Sequence, residues 1–161
     1  HTLNQIGIND DSDEMILFSK DHHKYAITSF RIFKENPFFG MGPNTFRIAC
    51  KNKNFAVDDK SCSTHPHNTY IQLFSEVGII GTIPVIFIFL MILIKTFHHI
   101  YSKFFYKRNI LSDYQICLLA CFLLTLWPFL PTQNFFNNWI SVIYYLPVGF
   151  YLHSLSRNKE V

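Results

Sequence analysis

Between Asp113 and Arg157 the chain has no Asp, Glu, Lys or Arg. Acids are scarce across the whole second half: residues 77–161 hold only Asp113 and Glu160, against six Lys or Arg. Residues 1–76 hold nine acids and eight Lys or Arg, so the halves carry net charges of −1 and +4. A segment so poor in charge cannot present a solvated surface on every side, which excludes an ordinary soluble fold for the second half. No basic patch interleaved with exposed aromatics occurs, which argues against nucleic acid as a partner. There is no basic, apolar, small-residue leader, no internal repeat and no low-complexity tract. The chain begins with His1 and reads as the C-terminal fragment of a longer membrane protein whose earlier spans lie upstream.

What is present is an apolar series. Residues 77–94 run for eighteen residues without a charge and end at Lys95, which can snorkel to an interface. Gly78, Gly81 and Pro84 fall in the first third of that run and predict a bend or close packing. A second run covers about 114–131 and a third about 139–155, joined by a polar link at 131–138. Lys95, Lys103, Lys107 and Arg108 follow the first run and Arg157 and Lys159 follow the third, whereas the link has no basic residue. The positive-inside rule therefore places 98–113 and the tail in the cytoplasm, and 1–76 and the link outside. The expected fold is an all-α integral membrane protein: a helical outer loop region, 1–76, then three spans near 77–97, 114–131 and 139–155. Tyr101, Phe104, Tyr106, Phe135, Phe136 and Trp139 fall near the expected interfaces.

Within the outer region, Asp10, Asp11, Asp13 and Glu14 form a solvated acidic loop. A helix is expected from Ser19 to Glu35, with Ala26, Ile27, Phe30 and Phe33 on one face and Ser19 or Asp21 as cap. Pro37 stops it. Residues 36–47 then specify a shaped turn through Pro37, Gly40, Gly42 and Pro43, and Asn44 can cap a short helix carrying Phe46 and Arg47. Residues 51–63 read as a mobile polar loop. Cys50 and Cys62 could pair if this half is extracytoplasmic; Cys117 and Cys121 read as small buried hydrophobes in a helix.

The chemistry concentrates at 65–81. His65 and His67 lie in a polar loop, Asn68 can cap the helix that follows, and Tyr70, Leu73, Phe74 and Val77 give that helix an apolar face. A histidine titrates near neutral pH and can accept a hydroxyl proton, although a loop histidine can also do no more than bond its neighbours. Cys62, His65 and His67 form a run that zinc could use, but it lacks a fourth ligand. His22–His23 and His98–His99 read as solvated pairs. Arg31 and Arg47 flank the Gly/Pro turn and can offer bidentate contacts to phosphate, or each is simply an interfacial arginine. Glu76 shares a helix face with Gln72, where it can help orient the histidine loop, although a solvated face is the plainer reading.

His67-Asn68, nine residues, then Gly78-x-x-Gly81 resembles the signature of the O-antigen ligase and polymerase family. Arg31 followed by Asn-Pro-Phe-Phe-Gly-Met-Gly-Pro-Asn-Thr-Phe resembles the same family's arginine and Gly/Pro turn. The resemblance covers about 50 residues, and the order of the spans after it agrees. It implies a multi-span glycosyltransferase C-type enzyme of the bacterial inner membrane with a periplasmic active-site loop. Such an enzyme transfers a glycan, with inversion and without cofactor or metal, from an undecaprenyl-diphosphate carrier to an acceptor hydroxyl, either on lipid A-core or on a growing polysaccharide. His67 would be the base and Arg31 a diphosphate contact. Arg47 matches no assignable position and is kept as a second diphosphate candidate, with His65, Asn68, Gly40, Gly42, Gly78 and Gly81 in support. The family uses a further arginine upstream, so this piece alone is expected to be inactive. A rival reading is a non-catalytic transport or scaffold protein whose outer loop binds anionic lipid or metal; the want of ionisable groups in the second and third runs, His153 aside, favours the enzyme.

Overall fold

The computed structural model describes residues 19–157. The acidic cluster at 10–14 and the tail residue Lys159 lie outside the described residues. Every regular element described is helical: α1 (Lys20–Glu35), α2 (Phe46–Ala49), α3 (Thr69–Tyr106), α4 (Asp113–Leu126) and α5 (Asn138–Arg157). The chain forms two units, one ending at Thr82 and including Pro131–Phe135, the other holding Ile83–Leu130 and the chain from Phe136 onward.

In the first unit α1 begins after Ser19 and stops at Asn36, just ahead of Pro37. Ser19 occupies the cap position, yet its side chain makes no cap bond. Ile32, Phe46 and Cys50 form the buried centre, with Tyr25, Ala49, Phe55 and Cys62 packed on it. Cys50 and Cys62 are joined as a disulfide with their Cα atoms 5.1 Å apart, a separation within the ordinary range. The loop that the bridge closes is not the loose segment that its composition suggested. The buried Ser61 hydroxyl accepts from Val57 N and Asp58 N and donates to Asp58 O. Lys24 pairs with Asp58, and Arg31 Nη1 donates to Ala56 O at 2.7 Å.

The break expected among Gly78, Gly81 and Pro84 falls at Gly78, which adopts φ 66° and ψ −166° inside α3. Its consequence is an exchange of hydrogen bonds with the Gly/Pro turn. Ile79 N and Ile80 N donate to Pro37 O and Phe38 O, while Met41 N and Gly42 N donate to Ser75 O and Glu76 O. Four helix groups freed by the break thus find partners in one turn. Such close approach leaves no room for side chains: a Cβ on Gly40, itself at φ 68°, would run into the Glu76 backbone, and one on Gly78 into the Phe38 backbone.

The second unit holds the apolar part of α3 with α4 and α5. Ile92, Leu111, Leu119 and Phe122 form its small core, joined by Ile116, Leu123, Leu126 and Tyr151. Ser112 starts α4 with a reciprocal capping box to Gln115. Cys117 and Cys121, expected to be buried, are exposed; Gln115, Leu118, Leu119 and Phe122 supply the inward face instead, which turns positions 117 and 121 outward. His99 also departs from its solvated reading: it is buried, and Nδ1 accepts from Leu111 N at 3.2 Å. Among the described residues one helix, α3, is long and apolar enough to cross a membrane. α4 has 14 residues, about 21 Å of helix, shorter than the expected run of 114–131 because Trp127 turns to extended backbone.

Candidate functional site

Asn68 begins α3 as expected, its side-chain oxygen accepting from Tyr70 N and Ile71 N at 3.0 and 3.1 Å. His67 stands immediately before this cap at φ 58°, a conformation that a side-chain-bearing residue adopts rarely. Thr132 N donates to His67 O, and this bond holds the unusual backbone in place.

The two histidines differ in freedom. His65 is buried, and both ring nitrogens are engaged: Nε2 with Thr132 O at 3.2 Å and Nδ1 with Thr64 Oγ1 at 2.9 Å. A carbonyl only accepts, so the proton sits on Nε2 and Nδ1 receives the Thr64 hydroxyl. His67 is half-buried, with Nε2 3.2 Å from Ser63 Oγ. If Nε2–H donates to that hydroxyl, Nδ1 keeps its lone pair for an incoming proton. The rings of His65 and His67 lie 4.1 Å apart. His22 stacks on His67 at 5.3 Å and Tyr25 tilts against it at 5.7 Å. Burial, with the neighbouring His22, pushes the His67 pKa below the usual histidine value. Burial also lowers that of His65, with His67 adding to the effect. Both rings therefore favour the neutral form.

His22 was expected to be solvated, and Ser63 carried no signal at all. His22 lies one turn before Ala26 on the stripe that continues through Ser29 and Phe33, so extending the apolar face backwards would have found it. Ser63, Thr132 and Asn134 reach the site across loops, where periodicity gives no guide.

Behind the histidines lies a buried polar network. Glu76, read as solvated, is fully buried. Its carboxylate accepts from Phe46 N at 2.8 Å, Asn44 N at 3.1 Å and Gln72 Nε2 at 2.9 Å. It therefore caps α2, the role expected of Asn44, whose own oxygen accepts from Asn134 Nδ2. Gln72 also donates to Asn134 Oδ1 and accepts from Phe135 N. The polar link after α4 is thus bonded to the first turns of α3.

Arg31 is not brought to His67. It follows His22 by nine residues on α1, which is half a rotation and about 14 Å along the axis, and it is exposed beside Ala56. Arg47 is exposed on α2, with no partner among the described residues. Cys62 has spent its thiol in the disulfide and cannot join His65 and His67 as a metal ligand. No group of three or more potential metal-binding side chains occurs among the described residues.

An apolar groove of about 380 Å³ lies between α1 and the start of α3, lined by Ala26, Ser29, Phe30, Phe33, Ile71 and Phe74. Ile71 also borders the small hollow beside His67 and His22.

Neither a curated protein nor a solved structure matches the chain. Residues 23–86 match the family model described as O-antigen ligase. The matched stretch runs from the first turn of α1 through the Gly/Pro turn, the histidine loop and the Gly78 break, and hydrogen bonds join the Gly/Pro turn to that break. Over residues 23–86 this chain is similar to the O-antigen ligase family, whose proteins are membrane proteins.

Proposed function

We propose that the chain is the catalytic C-terminal part of an inverting membrane glycosyltransferase, moving a glycan from an undecaprenyl-diphosphate carrier to an acceptor hydroxyl of lipid A-core or of a growing polysaccharide. The observation that carries this reading is the setting of His67 inside the matched segment: Nε2 within 3.2 Å of Ser63 Oγ, the ring directly before the Asn68 cap, and burial that favours the neutral imidazole. The acceptor hydroxyl must lose its proton as it attacks the anomeric carbon, and a neutral imidazole held in place can take it. His65, with both nitrogens committed, shapes the loop.

The departing diphosphate gathers negative charge, which guanidinium groups stabilise. The family resemblance assigns this to Arg31. One of its nitrogens is tied to Ala56 O, and the exposed remainder is available to phosphate oxygens. Arg47 is the second candidate. Because Arg31 stands apart from His67, the reading requires the carrier to reach α1 on the side away from His22, or the two groups to approach on binding.

The proposed topology has three passes, with 1–76 and 131–138 periplasmic and 98–113 and the tail cytoplasmic, in the bacterial inner membrane. Thr132 and Asn134 are hydrogen-bonded to His65 and Gln72, which supports one side for loop and link. The Cys50–Cys62 bridge suits an oxidising compartment, and the basic residues cluster at 95–108.

The test is transfer of glycan from a radiolabelled carrier by the full-length protein. His67→Ala should lose roughly 10²- to 10⁴-fold in rate, the usual cost of a missing general base, and His65→Ala clearly less. Because the His67 pKa is lowered, the rate should hold through neutral pH and fall only as pH drops through a value below the usual histidine range, where the ring gains its proton. Arg31→Lys should lose more than Arg47→Lys, since lysine keeps the charge but not the fork. Full activity in His67→Ala would refute the catalytic assignment.

A further inference from the structure

The 36–44 segment carries no charged residue, yet it displays its largest apolar side chains outward. Phe38 is 62% exposed, Phe39 75% and Met41 36%. These are not the tips of a free loop. The backbone beneath them is clamped to α3 by the four bonds around the Gly78 break, and Gly40 N closes the turn on Asn36 O. The clamp sets the level of the turn along the helix. Phe38 O is bonded to Ile80 N, and Ile80 is the fourth residue of the uncharged run that starts at Val77. Ile80 is itself 51% exposed. The turn therefore lies beside the opening of the one helix described as able to cross a membrane.

Irregular backbone at that depth is tolerated only where its polar groups are bonded within the protein. Here Met41 and Gly42 donate and Pro37 and Phe38 accept within the clamp, Gly40 N donates to Asn36 O inside the turn, and Pro37 and Pro43 have no N–H to satisfy, so much of the turn's backbone is bonded within the protein. The exposed charges that flank the turn, Lys34 and Glu35 on α1 and Arg47 on α2, lie outside 36–44, and Lys34 folds its amine over the Phe30 ring at 4.6 Å. Aromatic rings on a bonded, uncharged turn suit the boundary between headgroups and acyl chains.

We propose that the 37–41 turn is a membrane wedge: Phe38 and Phe39 sit in the lipid of the leaflet on the His67 side and hold the histidine loop at a set height above it. The height follows from α3, since the nine residues from Thr69 to Val77 give about 13 Å of helix between the Asn68 cap and the clamp. The wedge does not depend on the catalytic role of His67.

The test places a nitroxide at Phe39→Cys, at Phe38→Cys and, as an aqueous control, at Lys53→Cys. The full-length protein is used with its free cysteines, including Cys117 and Cys121, replaced by serine, in vesicles of phosphatidylethanolamine and phosphatidylglycerol. Collision with lipid-soluble oxygen is compared with collision with a water-soluble nickel chelate. Oxygen should dominate at 38 and 39, and the ratio should invert at 53. Chelate access at 39 equal to that at 53 would place the turn in water. Exclusion of both reagents would mean that protein covers it. Either result overturns the wedge. The labelled side chains are exposed, so the two positions read the same surface without disturbing the core. The measurement is independent of transfer, so its failure leaves the proposed reaction to be judged separately.

Discussion

The two units of the chain are held together by different physics. In the unit that carries His67, irregular backbone is matched bond for bond: Gly78 breaks α3 and the Gly/Pro turn takes up the freed groups, while Glu76 caps α2 from thirty residues away. The unit of α4 and α5 has a small apolar core and leaves Leu124, Ile143 and Leu152 exposed. Its local specification comes from a helix cap and from apolarity. The first unit is specific because an unpaired buried polar group is costly; the second tolerates exchange because its exposed apolar side chains, Leu124, Ile143 and Leu152, lie outside its small core.

Substitutions can sharpen that contrast. The largest effect is expected from Gly78→Val. It combines a positive φ with a collision against the Phe38 backbone, and it separates four hydrogen bonds worth about 0.5–1.5 kcal/mol each. A loss of roughly 4 kcal/mol or more should appear as hydrogen exchange at Met41, Gly42, Ile79 and Ile80, while α4 amides keep their protection. Equal loss in α4 would mean that the two units fold as one.

Glu76→Gln should cost less, about 1–3 kcal/mol, because a neutral amide keeps the shape but has one acceptor for three donors. Denaturant unfolding followed by a probe on α2 would check it. Protection of the α2 amides unchanged from that of the parent protein would remove Glu76 as the cap. The smallest effect is expected in the other unit. Ser112→Ala removes half of the capping box and should cost about 1 kcal/mol, read as fraying of the first turn of α4 with the histidine site unaltered.

Some of this was legible in the chain itself. Pro37 marked the end of α1, Asn68 the start of α3, and the glycines after Val77 the break, because each acts on its own backbone through φ or through a donor two or three residues away. The residues that read wrongly are those whose partners lie far along the chain. Glu76 looked solvated beside Gln72, since a helix-face reading cannot see Asn44 and Phe46. His22 looked like half of a surface pair until folding set it against His67, forty-five residues on. Arg31 shows the converse: a motif joins it to His67 in sequence, while the turn of α1 carries it away.

The sequence by itself determined the helices, their breaks, the uncharged run and the family signature, because these depend on composition and on contacts a few residues apart. Only the tertiary structure decided which histidine is free. His65 and His67 are two residues apart in the same loop; the motif through Asn68 and Gly78 singles out His67, but it says nothing of the hydrogen bonds at either ring. The carbonyl of Thr132, sixty-seven residues from His65, fixes one ring's proton, and the other ring is left with an open nitrogen.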